Sequence, residues 1–365
     1  MPRQATVRDL LPVIHLQRRP AAAYFSIEGY FDRVRRALRR QVALSVFLLP
    51  CISRGFWRRL LNLGAALQHR SALCHVTGDV HYVCLVLSRP RCLLTVHDCQ
   101  ILHRLHGWRR WLVKMLWYTL PVRRAARITV NSAETKRQLL MEVTFPPDRI
   151  HVIPVSVSEL FQPSAHVFCA DRPRILQIGT KANKNVPRLL QALQGLNCHL
   201  DLVGPLDDKL QGQLAASGLA WTAWPRLSDR ELLERYQQAD IVAFVSTEEG
   251  FGMPIVESQW VERVCVTSNC SSMPEVAGDG ACLVDPFDVQ SIRAGFQRVI
   301  SDAEYREQLI ASGRVNRLRF DAARIAEQFL EVYRLMASEG GYSLAEPPAA
   351  VFEPRMDTNQ GGCGC

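Results

Sequence analysis

The stretch "DIVAFVSTEEGFGMPIVESQW", residues 240–260, decides how this chain is read. Its apolar opening, Ile241 to Val245, has the length and composition of a buried strand. Gly250 and Gly252 then break the pattern, and Pro254 follows. Proline lacks an N–H and fixes φ, so it fits the first turn of a helix. A glycine-containing loop that feeds a helix N-terminus offers unbonded backbone N–H groups and room for close approach, and that combination suits a phosphate. Glu249 and Glu257 flank the loop. Glu257 is expected in the first helical turn, where the helix dipole alone would favour an acid, so its meaning depends on what surrounds it.

Outward from this stretch the same rhythm recurs. "RILQIGT", "HLDLVG", "VCVTSN" and "ACLVD" are short apolar runs that alternate with amphipathic segments after residue 172. "ALCHVTG", "CLLTVHD" and "RITVNS" do the same between residues 72 and 132. Strands alternating with helices imply parallel sheets covered on both faces. Two such series imply an α/β architecture of two Rossmann-like domains facing each other across a cleft. The 365 residues suit two domains. Residues 152–174 carry prolines without a helical period and hold the junction, which gives an N-terminal domain over 1–165 and a C-terminal domain over 166–318. A final amphipathic helix is expected from Phe320 to Met336, within a segment 319–338 that packs back toward the first domain. Residues 339–365, rich in Gly, Pro and small residues, read as a disordered tail. In open parallel sheets ligands bind beyond the carboxyl ends of the strands. The loops at His97–Asp98, at Gly179–Thr180 and at the opening stretch are therefore the places to look for chemistry.

The composition is that of a globular protein, with 48% hydrophobic and 22% charged residues. Its charge is unevenly spread. Residues 1–130 hold 22 basic and 5 acidic side chains, a net +17, whereas the remainder carries −8. The first half therefore suits an anionic partner, either a lipid surface or a phosphorylated acceptor. Nucleic acid is not expected, because no zinc-finger spacing, aromatic RNA-binding motif or recognition helix accompanies the charge. The cysteines lack metal-site spacing, and Cys92, Cys198, Cys265 and Cys282 lie in or beside apolar runs, as buried free thiols in a reducing cytosol would. Cys363 and Cys365 sit in the tail. No signal peptide is recognisable at the N-terminus, and the apolar runs are too short to cross a bilayer. The chain reads as cytoplasmic, with attachment to the cytoplasmic face of the inner membrane open to it. "GWRRWLVKMLWYTLPVRRAARI", residues 107–128, mixes tryptophan with basic residues as lipid-interface helices do. An amphipathic helix with its Trp and Leu side packed inward would read the same way.

Glu249-GFGMPIV-Glu257 is two glutamates separated by seven residues, and "VTSNCSSMPEVAGDGACLVDPFD" follows at 266–288. Here the chain resembles the retaining glycosyltransferases of the GT-B fold, in the large family four that includes bacterial mannosyl- and glucosyltransferases. "ILQIGTKANKNVPRLLQAL", residues 175–193, resembles that family's Gly-Thr loop and basic pair, with Asn183 where many members carry Arg and Lys181 as a candidate substitute. "LLTVHDCQILH" resembles its strand ending in His-Asp, and "FSIEGYFDRV" stands where its first glycine-rich loop belongs, with Gly29 alone. "SQWVERVCV" departs from the small residues, Gly and Pro usual there.

The resemblance implies a transfer of a hexose, mannose or glucose, from a GDP- or UDP-linked sugar to a glycan or lipid-linked saccharide, without a metal or other cofactor. It implies that Lys184 contacts the donor diphosphate, Glu257 the ribose hydroxyls and Glu249 the transferred sugar, with His97 facing that sugar. Gly179, Thr180, Phe251, Gly252, Met253 and Pro254 would complete the donor site. Two other readings stand beside it. A nucleotide-sugar epimerase of the same fold would turn over donor without acceptor, and a non-catalytic nucleotide-sugar-binding scaffold would do no chemistry.

Overall fold

The computed structural model describes residues 10–19 and 26–340. Two six-stranded sheets dominate it, and every strand pairing in both is parallel. The first is built from β1 (Leu11–Gln17), β2 (Val42–Leu48), β3 (Leu73–Val76), β4 (Cys92–Val96), β5 (Arg127–Val130) and β6 (Ile150–Val152), in the order β2-β1-β3-β4-β5-β6. The second holds β7 (Arg174–Ile178), β8 (His199–Val203), β9 (Ala220–Trp224), β10 (Ile241–Phe244), β11 (Val264–Ser268) and β12 (Cys282–Val284), in the order β12-β11-β10-β7-β8-β9. Strands sandwiched between helices have no solvent-facing side, which is why β4 and β11 are buried at every residue and are mostly apolar, with Thr95, Thr267 and Ser268 as their buried polar residues. The thiols of Cys92, Cys198, Cys265 and Cys282 are free and buried within these layers.

Strand order fixes where a ligand can sit. In the second sheet the chain leaves β7 in one direction, toward β8, and later returns on its other side as β10. The loops after β7 and β10 therefore diverge and open a crevice between them. These are the loops that carry Lys184 and Glu249.

The last helix, Ala322–Glu339, starts where Asp321 caps the backbone N–H groups of Ala323 and Arg324. Its start is two residues later than the amphipathic pattern alone indicated. Ile325, Phe329, Leu330 and Tyr333 pack against Val13, Phe31, Val34 and Leu73 of the first half, so this helix completes the first half's core. Tyr333 carries a polar handle into that core. Its hydroxyl lies 2.9 Å from His15 Nε2 and 2.8 Å from His75 Nδ1, while His75 Nε2 is 2.6 Å from Thr95 Oγ1. Burial is the main force lowering both histidine pKa values, that of His75 to about 3.

Two expectations change. Gly29 lies inside the helix Ser26–Leu38, so it does not form a glycine-rich loop. Residues 20–25, which precede that helix, lie outside the described residues, as does the expected tail 339–365 from residue 341 on, with Cys363 and Cys365, while Glu339, expected in that tail, is instead the last residue of the final helix. At "SQWVERVCV", Glu262 occupies the left-handed region with φ 59°, a conformation that costs a residue with a Cβ and suits glycine. Arg314 and Arg317 hold its carboxylate at 2.6 and 3.2 Å.

Candidate active site

The loop after β10 and the helix it feeds form one wall. That helix runs Met253–Trp260, with Gly252 as N-cap and Pro254 in the first turn. Glu257 is therefore the fifth helical residue and lies beyond the first turn where it was expected. The free N–H groups of the helix end are too far along the chain to account for an acid there. The loop itself is pinned by serines: Ser271 Oγ and Ser272 Oγ donate to the Glu249 carbonyl at 2.7 and 3.0 Å, and Ser272 Oγ also donates to the Phe251 carbonyl at 2.7 Å.

The opposite wall is the loop after β7. Lys184 Nζ lies 2.7 Å from Glu249 Oε1 and 4.4 Å from the centre of the Phe244 ring. Asn183 Nδ2 donates to the same Glu249 oxygen at 3.0 Å and to the Glu248 carbonyl at 3.0 Å. A neutral amide thus fills the place expected for an arginine. Lys181 is exposed, and it is Asn183 that joins Lys184 at the carboxylate. Gly179 makes room for this arrangement, since a Cβ there would sit 2.9 Å from Lys184 Cε. Thr180 Oγ1 turns away to donate to the Pro205 carbonyl at 2.6 Å.

The first half closes the site. A Cβ on Gly250 would lie 2.7 Å from the His97 carbonyl oxygen and 2.9 Å from Asp98 Cβ, so only glycine lets the two halves meet at this point. Ser132 Oγ and Thr135 Oγ1 donate across the junction to the Gly250 carbonyl at 2.8 and 3.1 Å. Glu275, from the Pro-Glu-Val run, receives Ala133 N–H at 2.9 and 2.8 Å, so a carboxylate of one half caps a helix of the other. His97 donates through Nε2 to the Thr77 carbonyl at 2.9 Å, which fixes its ring and its tautomer.

Glu257 faces this junction from below. Tyr236 Oη donates to its Oε2 at 2.5 Å. Burial raises the Glu257 pKa to about 7, opposed by that hydrogen bond and by the positive charge of Arg33. Arg33 comes from the first half, where it is anchored to Ser156 through its carbonyl at 2.7 Å and its hydroxyl at 3.3 Å.

Of the residues singled out from sequence, Lys184, Glu249, Gly179, Gly252 and His97 come together around the crevice, with Glu257 one helical turn further in. Phe251 does not turn its side chain to the crevice, because its ring is buried against Phe320 at 5.7 Å between centres. Pro254 is buried and Met253 packs against the same core, which leaves backbone as what these positions offer a donor. Sequence reasoning missed Tyr236, Arg33, Glu275 and Asn131, whose Nδ2 donates to the His97 carbonyl at 2.8 Å. "PEV" was the one signal for Glu275.

Family models match both halves. Residues 15–158 match the model described as Glycosyltransferase Family 4, and residues 161–316 match Glycosyl transferases group 1. Over 249 residues the chain is 32% identical to the MMP alpha-(1->4)-mannosyltransferase of Mycolicibacterium hassiacum, a match that covers 62% of this chain and 59% of that protein. It is 28% identical over 250 residues to the O-antigen chain mannosyltransferase B of Escherichia coli, covering 62% and 65%. The chain thus spans about six-tenths of the length of these curated relatives. Among solved structures, Anabaena HepE in complex with UDP and glucose superposes with a TM-score of 0.70 at 15% identity, covering 88% of this chain and 99% of that one. Sucrose-phosphate synthase from Thermosynechococcus elongatus gives 0.72 at 17% identity, covering 90% and 100%. With its second half matching the group 1 model and its first half the Family 4 model, the chain belongs to the group 1 glycosyltransferases built on the GT-B fold.

Proposed function

We propose that this protein is a retaining hexosyltransferase of the family four type. It moves mannose or glucose from a GDP- or UDP-linked sugar to a saccharide or lipid-linked acceptor, without a metal ion. The observation that carries the proposal is the meeting of Lys184 and Glu249 at the switch point of the second sheet, beside a helix N-terminus. Mannosyltransferase relatives favour mannose.

In this reading the diphosphate takes Lys184 away from Glu249. The ammonium and the N–H groups at Gly252–Ile255 stabilise the charge that grows on the leaving oxygen. Glu249, freed from its lysine, faces the sugar and stabilises its positive charge as the bond to the diphosphate breaks. The acceptor hydroxyl attacks the anomeric carbon on the face that the diphosphate leaves, and its proton passes to the departing phosphate oxygen. Glu257 accepts hydrogen bonds from the two ribose hydroxyls. His97, fixed by Thr77, lines the sugar side. Closure of the two halves keeps water from the bond being broken. The protein acts in the cytoplasm, at the inner membrane when its acceptor is lipid-linked, in the assembly of a polysaccharide or lipopolysaccharide.

The test is a thermal-shift series with UDP, GDP, ADP and dTDP and their sugar conjugates, with and without EDTA, followed by a transfer assay with the donor so identified. A nucleotide-selective rise that survives EDTA, with sugar release that requires an acceptor, is the expected result. Donor turnover without acceptor would move the assignment to an epimerase, and the absence of any shift to a scaffold.

A further inference from the structure

Two helices on one face of the first sheet expose their apolar sides. Trp57 is 76% exposed and Phe56 67%, at the start of the helix Phe56–Leu67, with Leu60 and Leu61 one turn on. Trp108 is 69% exposed and Trp111 63%, at the start of the helix Gly107–Val113, and Leu112 and Leu116 continue the stripe. The spacing 108, 111, 112, 116 is one helical face. Its exposure answers the question that periodicity left open, since this stripe points away from the core. The inward sides of the two helical segments, Asn62 and Ala66 on one and Trp117, Tyr118 and Val122 on the other, face the same sheet core and are joined where Arg59 lies 4.6 Å over the Trp117 ring. The two segments therefore meet at Trp117, on the same side of the first sheet. Soluble surfaces seldom keep so many large apolar side chains together without a partner.

Charge says what the partner is. Residues 51–71 and 99–124, which contain both helices, hold 10 Lys and Arg and not one Asp or Glu. Arg54, Arg58, Arg109 and Arg110 interleave with the exposed rings. Glu142, from a neighbouring helix, offsets part of this by pairing with Arg110 and Lys114. Tryptophan and phenylalanine ringed by arginine are the composition of a helix that lies in an anionic lipid interface, with rings at headgroup depth and guanidinium groups on phosphates. No helix among the described residues is long and apolar enough to cross a membrane.

The fold also relates this face to the cleft. In a parallel β/α layer each helix starts at the carboxyl edge of the sheet, the edge on which the cleft lies. Phe56, Trp57 and Trp108 lie in the first turns of their helices, with Trp111 one turn on. A π-helical turn, Lys114–Thr119, then re-aims the second helix so that Tyr118 Oη donates to the Asp98 carbonyl at 3.1 Å and the Trp117 carbonyl accepts from His81 Nδ1 at 2.9 Å. The exposed face and the His97–Asp98 loop are braced by one helix.

We propose that Phe56, Trp57, Leu61, Trp108, Trp111 and Leu112 form a docking surface for an anionic lipid bilayer that holds the mouth of the cleft at headgroup level. This gives a partner to the lipid-linked acceptor of the proposed function and rests on that reading for its purpose. The test sediments the full chain with vesicles of phosphatidylcholine and with vesicles of phosphatidylcholine mixed with phosphatidylglycerol. The protein pellets with the mixed vesicles, its tryptophan emission shifts to shorter wavelength, and salt reverses both. The triple variant Trp57→Ala/Trp108→Ala/Trp111→Ala partitions roughly tenfold less or weaker still. Arg58→Glu/Arg109→Glu loses roughly fivefold per residue. Nucleotide-induced thermal shifts are unchanged in both variants, so lipid docking and donor binding can fail separately. Equal binding to both vesicle types, or anionic binding that both variants retain, overturns the proposal. So does self-association in solution that the tryptophan variant abolishes, which would give the face to a second copy of the chain.

Discussion

Lys184 Nζ and Glu249 Oε1 are 2.7 Å apart, in a pocket that Phe244 floors and Asn183 shares. The cation that the proposed reaction gives to the diphosphate and the anion that it gives to the sugar are thus each other's partners. Lys184→Ala removes a charge-assisted contact worth about 1.5–3 kcal/mol, so nucleotide-sugar affinity should fall roughly 10- to 100-fold. Glu249→Gln keeps the shape and both hydrogen-bonding neighbours, and should leave nucleotide affinity within a fewfold while lowering kcat by more than roughly a hundredfold. Titration calorimetry with the nucleotide and steady-state transfer rates separate the two. Equal loss of affinity in both variants would contradict the division of labour.

Glu257 gives the site a pH dependence. Its pKa in the folded protein is raised to about 7 from 4.5, so the native state holds a proton that the unfolded chain releases. Glu257 therefore favours folding most below pH 4.5, and that contribution is lost as pH rises toward 7. In the proposed function ribose binding runs the other way, because there it uses the Glu257 carboxylate, and nucleotide affinity should climb as pH rises through 7. Tyr236→Phe deletes the hydrogen bond that lowers this pKa and should move the midpoint of the affinity profile upward. Glu257→Gln should flatten the profile. Affinity measured from pH 5.5 to 8.5 checks both.

The contact at Gly250 is steric. Gly250→Ala sets a methyl group against the His97 carbonyl, 2.7 Å away, and against Asp98. The halves must separate by several tenths of an ångström to accept it. Transfer should drop at least roughly tenfold, with nucleotide affinity in the second half less affected and the far-ultraviolet dichroism unchanged. Retained full activity would show that the two halves do not need this approach.

The buried pair His15 and His75 makes the last helix sensitive to acid. Both have pKa values pulled below 6.5 by burial, so the unfolded chain binds protons that the native state refuses. Stability is whole above pH 6.5 and falls as pH drops toward 3, opposite in sign to the Glu257 contribution between 4.5 and 6.5. Tyr333→Phe leaves His15 Nε2 and His75 Nδ1 without their shared partner and should cost about 1–3 kcal/mol. Thermal midpoints at pH 5 and 8, in native and Tyr333→Phe protein, measure it.

What could be read from sequence was whatever is local. Gly250, Gly252 and Pro254 each answer a backbone demand within a few residues, so the loop and the start of its helix were visible, and the alternating runs announced parallel sheets before their order was known. Glu257 was placed a turn early because a helix start is set by the N-cap, here Gly252, rather than by the proline. The Tyr236–Glu257 contact joins two helices 21 residues apart, and no periodicity in either points at the other. Arg33 reaches the site from a helix whose glycine had drawn attention for a different reason. The Trp108 stripe was legible as a face, but whether a face is covered is decided by neighbours such as the helix Phe56–Leu67.

Tyr333 meets His75 across 258 residues of chain. The first half therefore lacks part of its interior until synthesis has passed Tyr333, whereas residues 161–316 are contiguous and finished earlier. Synthesis begins with one half and structure can be completed first in the other. Chains ending before Tyr333 would present Val13, Phe31 and Leu73 to solvent. Such fragments should be held by chaperones or aggregate, while a fragment of residues 161–321, which ends before the helix that packs on the first half, should stay soluble.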